Sequence, residues 1–184
     1  MTTAHPTSNF TDATSAVRIS PATALAWLGV ILAGAIFGFF YAWVCSTMWG
    51  LDQADPRVAI PAMQAMNASV RNFVFFPAFF LTPVVLGLAA MLSWMEGRRT
   101  SASLLAVAAV LYAVGGILLT ATINVPMNEA LAMARVPTEE AAAAQLWHEY
   151  SSSWQVWNLV RTVVSGISLG LAAAALIVMP RVRR

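Results

Sequence analysis

Arg161 is the residue that most needs an explanation. It lies about two turns inside a long apolar run. Trp154, Trp157 and Asn158 precede it at spacings that put all four on one helical face. A guanidinium at that depth costs about 2.5–3.5 kcal/mol to insert unless it is paired or snorkels to the interface. Two further polar stripes fall at the same end of the apolar runs. Gln64, Asn67 and Arg71 are spaced three and four apart, and Asn124 and Asn128 flank Pro126. Amides read carbonyl and hydroxyl groups, a guanidinium stabilises an oxyanion, and indoles wall a flat ring. If the stripes converge, they make a pocket for a flat, oxygenated aromatic molecule. The same residues also admit a structural reading. Arg161 would then hold the end of the third span through its carbonyls, with Asn124 and Asn158 bonding between helices and Arg71 snorkelling.

Acid–base candidates are few. His148 and Glu149 stand just before the last apolar run. Imidazole is the usual general base near neutral pH, although a lone histidine on an interfacial helix is more often only surface. His5 sits in the polar N-terminal stretch and Cys45 in an apolar run, where it reads as a small buried hydrophobe. One usable imidazole and one cysteine cannot by themselves assemble a multi-histidine copper, iron or haem site, a zinc site or a disulfide. There is no Walker loop, dinucleotide fingerprint or nucleophile elbow. Redox chemistry would therefore be cofactor-free or would use a cofactor supplied from outside.

The elements that must position these residues are membrane helices. Apolar runs cover Ala22 to Gly50, Asn72 to Met95, Ser103 to Asn124 and Trp154 to Met179. Each exceeds the roughly 20 residues that cross a bilayer core. Pro61 suits the first turn of a helix leading into the second run, Pro77 and Pro83 predict kinks, and Pro126 predicts the end of the third span. Pro137 and Thr138 divide the long third connection, and the Ala-rich stretch to Tyr150 predicts an amphipathic helix across the outer mouth. Gly34 with Gly38, and Gly166 with Gly170, have the spacing of close-packing glycines and would admit a homodimer. Five tryptophans (Trp43, Trp49, Trp94, Trp147, Trp154) fall near expected interfaces and read as anchors.

Composition agrees. The 184 residues are 59% apolar and 10% charged, with a mean hydropathy of +0.71. A soluble domain carries about 25% charge. Soluble, disordered and disulfide-scaffold classes are excluded, and the size leaves one compact bundle. All ten basic residues are arginine, which with the heavy use of alanine points to a GC-rich, bacterial genome. The pI of 9.2 comes from scattered arginines rather than a basic face, so a nucleic-acid partner is not expected. The expected organisation is a disordered cytoplasmic tail over 1–20, a four-span domain over 21–180 and a basic cytoplasmic end over 181–184. Arg98, Arg99, Arg181, Arg183 and Arg184 lie on the side of both termini. The positive-inside rule then predicts an all-α, up-down-up-down bundle in the cell membrane with both ends cytoplasmic.

Two strings carry a family resemblance: NVPMNEAL (Asn124 to Leu131) and WQVWNLVRT (Trp154 to Thr162). With AMQAMNASVRN (Ala62 to Asn72), they resemble the anthrone oxygenase-like family of small four-span membrane proteins, over about residues 25–178. Most bacterial members are known only as a domain of unknown function. The family's known members oxidise anthrones to anthraquinones with O2 and no evident metal or flavin. The resemblance implies a site of Asn124, Asn128, Trp157, Asn158 and Arg161, with Gln64 and Asn67. His148 or Glu149 would remove a carbon-bound proton, and Arg161 and the amides would hold the enolate. Three functions follow in order: a cofactor-independent oxygenase of a hydrophobic phenol or anthrone; a non-catalytic binder or scaffold for a lipid, quinone or partner membrane protein; and a small transporter.

Overall fold

A computed structural model describes residues 19–179. The expectations for the tail before Ile19 and for the basic end after Met179 lie outside these residues. Five helices make up the fold: α1 Pro21–Gln53, α2 Pro56–Ser69, α3 Phe75–Met95, α4 Arg99–Met133 and α5 Glu140–Ile177. All but α2 are long and apolar enough to cross a membrane, and the protein is a multi-pass membrane protein.

Each helix starts for a local reason. Ser20 caps α1 by accepting from the Thr23 amide at 3.3 Å, with Pro21 at the first helical position. Asp55 caps α2, its Oδ1 accepting from the Arg57 amide at 2.8 Å. Asn72 starts α3, its Oδ1 accepting from the Val74 and Phe75 amides at 2.8 and 3.0 Å. The turn between α3 and α4 passes through Gly97 at φ 76°, a left-handed conformation that suits glycine.

The spans form a square. Helix α1 packs against α3 and α5, and α4 packs against α3 and α5. Alanines dominate the end nearest the termini, where Ala26, Ala89, Ala108, Ala172 and Ala175 let the backbones approach. Ile36, Phe40, Phe79 and Tyr112 fill the middle. The far ends of α1 and α4, the first half of α5 and the whole of α2 build a cap around Met48, Ile60, Met63, Leu131, Trp147 and Trp154.

Three elements differ from the sequence reading. The third span does not stop before Pro126. Helix α4 continues to Met133 because π-helical turns over Ala113–Leu118 and Thr120–Asn124 precede the proline, which then opens a new α-helical stretch where its missing N–H costs nothing. The helix expected across the mouth is instead the first part of α5, continuous with the fourth span for 38 residues. The helix from Pro56 ends at Ser69, because Asn72 donates to the Ser69 carbonyl at 2.7 Å and starts α3 afresh. Arg71 therefore lies beyond α2, in an exposed ion pair with Glu129 at 3.5 Å. Pro77 falls in the first turn of α3, and only Pro83 is interior.

One smaller reading is also corrected. Cys45 is exposed on a π-helical turn of α1 rather than buried. Within the chain the glycine pairs are split: Gly34 and Gly166 meet side chains across the α1–α5 contact, while Gly38 and Gly170 have nothing within 4 Å.

Candidate functional site

The conformation of α5 makes the site. Tyr150, Trp154, Asn158 and Arg161 fall on its buried face. Arg161 is 5% exposed. Its Nη2 donates to Asn158 Oδ1 at 2.9 Å and its Nη1 to Thr120 Oγ1 at 3.2 Å. The guanidinium carbon sits 4.6 Å from the Phe40 ring centre and 5.3 Å from that of Trp154. Asn158 is anchored in turn, its Nδ2 donating to the Phe40 carbonyl at 3.1 Å. Among the described residues, no carboxylate pairs with Arg161.

Arg161 Nε has no hydrogen-bond partner, and neither does either polar atom of Asn124, which is fully buried. Buried polar groups are almost always satisfied, so three orphaned atoms at this end of the bundle call for an explanation; a fourth, Ser93 Oγ, lies near the opposite end. Thr120 and Asn124 are the two ends of a single π-helical turn. Such turns occur often at functional sites.

A second network lies one turn outward. Asn128 Oδ1 accepts from the Tyr150 hydroxyl at 2.8 Å and from Trp154 Nε1 at 3.0 Å. Asn67 Nδ2 donates to the Tyr150 oxygen at 3.2 Å. Trp154 thus joins the networks, its N–H in one and its ring over Arg161 in the other. The three stripes read from the sequence do converge, with Asn67, Asn124, Asn128, Trp154, Asn158 and Arg161 at one end of the bundle.

Four expected site residues sit elsewhere. Gln64 donates to the Leu131 and Ala134 carbonyls at 2.8 and 3.1 Å, closing the end of α4. Trp157 is 36% exposed. His148 is exposed, and Glu149, also exposed, accepts from Gln145 at 3.0 Å. His148 precedes Arg161 by thirteen residues, and so stands about 20 Å from it along the axis of α5. Trp147 and Trp154, read as interfacial anchors, are buried, and Trp43 is partly buried. Trp147 donates to Asp52 at 2.9 Å, and the Trp43 and Trp154 rings lie 5.1 Å apart.

Thr120, Tyr150 and Phe40 were missed. Spacing held a signal for two of them: Thr120, Asn124 and Asn128 recur every four residues, and Tyr150 stands four before Trp154. Phe40 carries none, since it enters through its ring and its carbonyl. No three His, Cys, Asp or Glu side chains gather as a metal centre among the described residues.

Fold and site together define a four-span membrane protein with a buried, cationic, aromatic-walled site. The chain belongs to the anthrone oxygenase family, whose sequence signature matches residues 66–171. The match begins in α2 and leaves out α1, so it is narrower than the 25–178 of the sequence reading. No curated protein and no solved structure matches the chain.

Proposed function

We propose that the protein oxidises a hydrophobic phenol of the anthrone type with O2, the Arg161 site holding the substrate's oxyanion. The observation that carries the proposal is a buried guanidinium bonded only to neutral acceptors, one of which, Thr120, opens the π-helical turn that ends at Asn124, a buried amide with neither polar atom paired. A buried cation without a counter-ion attracts an anion of matching shape. An enolate oxygen would take Arg161 Nε and Asn124 Nδ2, with its ring against Phe40 and Trp154.

The reaction balances without a further reductant. The ring carbon opposite the carbonyl loses a proton, giving the enolate. The enolate gives electrons to O2, and a carbon–oxygen bond forms. The peroxide anion takes that proton back, and the resulting hydroperoxide loses water, leaving a second carbonyl: anthrone plus O2 gives anthraquinone plus water. The site's contribution is to make the anion accessible and to exclude bulk water from it. The proposed setting is the cell membrane, with both termini cytoplasmic by the positive-inside rule.

The placement of His148 and Glu149 favours a second reading. Neither stands beside the guanidinium, so the chain could bind an already anionic phenol or quinone without turning it over. Oxygen uptake by the purified protein with emodin anthrone separates the two. Catalysis predicts quinone formation well above buffer autoxidation, falling by about 10²–10³-fold in Arg161→Leu with the fold retained. A wild-type rate equal to buffer would refute the oxidation of anthrones.

A further inference from the structure

A cleft of about 460 Å³ opens between α1 and α3, where the chain breaks away from α2. Arg161 does not line it. Its walls include Phe39, Trp43, Phe75 and Ala78, with Ser69 and Asn72 at the rim. The volume falls in the range of small-molecule sites, about 300–1,000 Å³. The Phe39 and Phe75 rings lie 4.9 Å apart. The rim carries no charge, and the Asn72 amide is already used at both ends in starting α3. The cleft therefore suits a neutral, flat, aromatic molecule.

Its inner wall is the informative part. Trp43 lines the cleft on one side and packs on Trp154 at 5.1 Å between ring centres on the other, and Trp154 covers Arg161. Two indoles separate the cleft from the guanidinium. Trp43 also opens the π-helical turn Trp43–Thr47, in which no residue is buried. Phe73 and Val74, 87% and 71% exposed, stand beside the cleft at the start of α3.

We infer that this cleft is a lateral portal, where a neutral polycyclic phenol leaves the bilayer and is handed past Trp43 to Arg161. The inference rests on the anion-holding reading of Arg161 for its destination. The cleft takes the neutral form and Arg161 takes the anion, so the division of polarity between the two matches the order of events.

The test uses the full chain in phosphatidylcholine nanodiscs and measures saturable binding of emodin by its visible absorbance. Ala35→Trp and Ser69→Trp fill the cleft from exposed positions, and Val110→Trp adds the same bulk to the outside of α4. Both filling variants should bind at least about tenfold more weakly than wild type, and Val110→Trp within about twofold. Equal binding by either well-folded filling variant, or no saturable binding to wild type, overturns the portal. So does a loss of bound phospholipid in the filling variants with emodin binding unchanged, which makes the cleft a lipid groove. Turnover is scored separately. Weakened binding without any wild-type turnover keeps the portal and removes the oxidation. Arg161-dependent turnover with unweakened binding does the reverse.

Discussion

Asn124 and Asn158 are the same side chain in opposite circumstances. Asn158 is bonded on both sides, to the Phe40 carbonyl and to Arg161. Asn124 is bonded on neither. A buried amide without partners destabilises a fold by about 1–3 kcal/mol, and an apolar replacement of similar shape removes that burden. Asn124→Leu should therefore raise the unfolding free energy by about 1–3 kcal/mol and lower turnover or anion binding. Asn158→Leu should lower stability by a similar amount, since it strands a guanidinium and a carbonyl. Thermal melts in nanodiscs check both, and a destabilised Asn124→Leu would show that Asn124 is structural. Residue types at helical spacing made most of this site legible. The orphaned atoms were not legible, because satisfaction depends on what stands opposite. Nor was the separation of His148 from Arg161, since nothing in the sequence announces one unbroken helix through both.

At the scale of elements, proline and glycine were the signals read least well. Pro126 looked like a terminus because the two π-helical turns ahead of it have no sequence mark. The glycine with the closest approach to a neighbouring helix is Gly115, outside either spaced pair. A Cβ there would stand 2.5 Å from Val164 Cγ1 and 3.0 Å from its Cβ. Valine is β-branched and cannot swing aside freely. Gly115→Ala should push α4 off α5 beside Thr120, costing about 1–3 kcal/mol and reducing turnover; a melting temperature equal to wild type would sink this. Helix α2 offers a pH signature. Hydrogen bonds from the Arg57 side chain and amide hold the Asp55 carboxyl down, from an ordinary 3.8 to about 2. A lowered pKa means the cap is at full strength above the ordinary carboxylate range and is lost as pH falls through the folded value. Amide exchange in the first turn of α2 should quicken as pH falls from about 4 to about 2, after correction for intrinsic exchange. Asp55→Asn should remove that step while keeping a cap.

On the scale of the molecule, the four-span bundle was legible from hydropathy and length, while the cap was not. Its residues are apolar enough to look like extensions of the spans, and α2 had the pattern of a lead-in to the second. The opposite end of the molecule is closed by a polar knot. Arg98, 8% exposed, donates to Thr23 Oγ1 at 2.9 Å and pairs with Glu96 at 3.2 Å. Ser20 Oγ donates to the same Glu96 carboxylate at 3.0 Å. This ties the start of α1 to the α3–α4 turn, so an arginine read only as a topology signal also fastens the square. Arg98 is buried while Glu96 is partly exposed, so the loss comes mainly from the charged hydrogen bonds that Arg98 makes. Arg98→Ala should lose about 1.5–3 kcal/mol in denaturant unfolding, and a loss within the noise would mean the knot is decorative.

The unbroken course of α5 has a consequence for how this chain can change. Roof, walls and cation all hang from one rod: Trp147 and Tyr150 in the cap, Trp154 and Asn158 between, and Arg161 beneath. A rod turns by about 100° for each residue added. A single insertion between Trp147 and Arg161 would swing the guanidinium from the interior toward the lipid while the cap stayed in place, whereas the connection around Pro137 can lengthen without moving either. The segment therefore behaves as a keyed shaft. Its letters can be exchanged one at a time, but its count cannot.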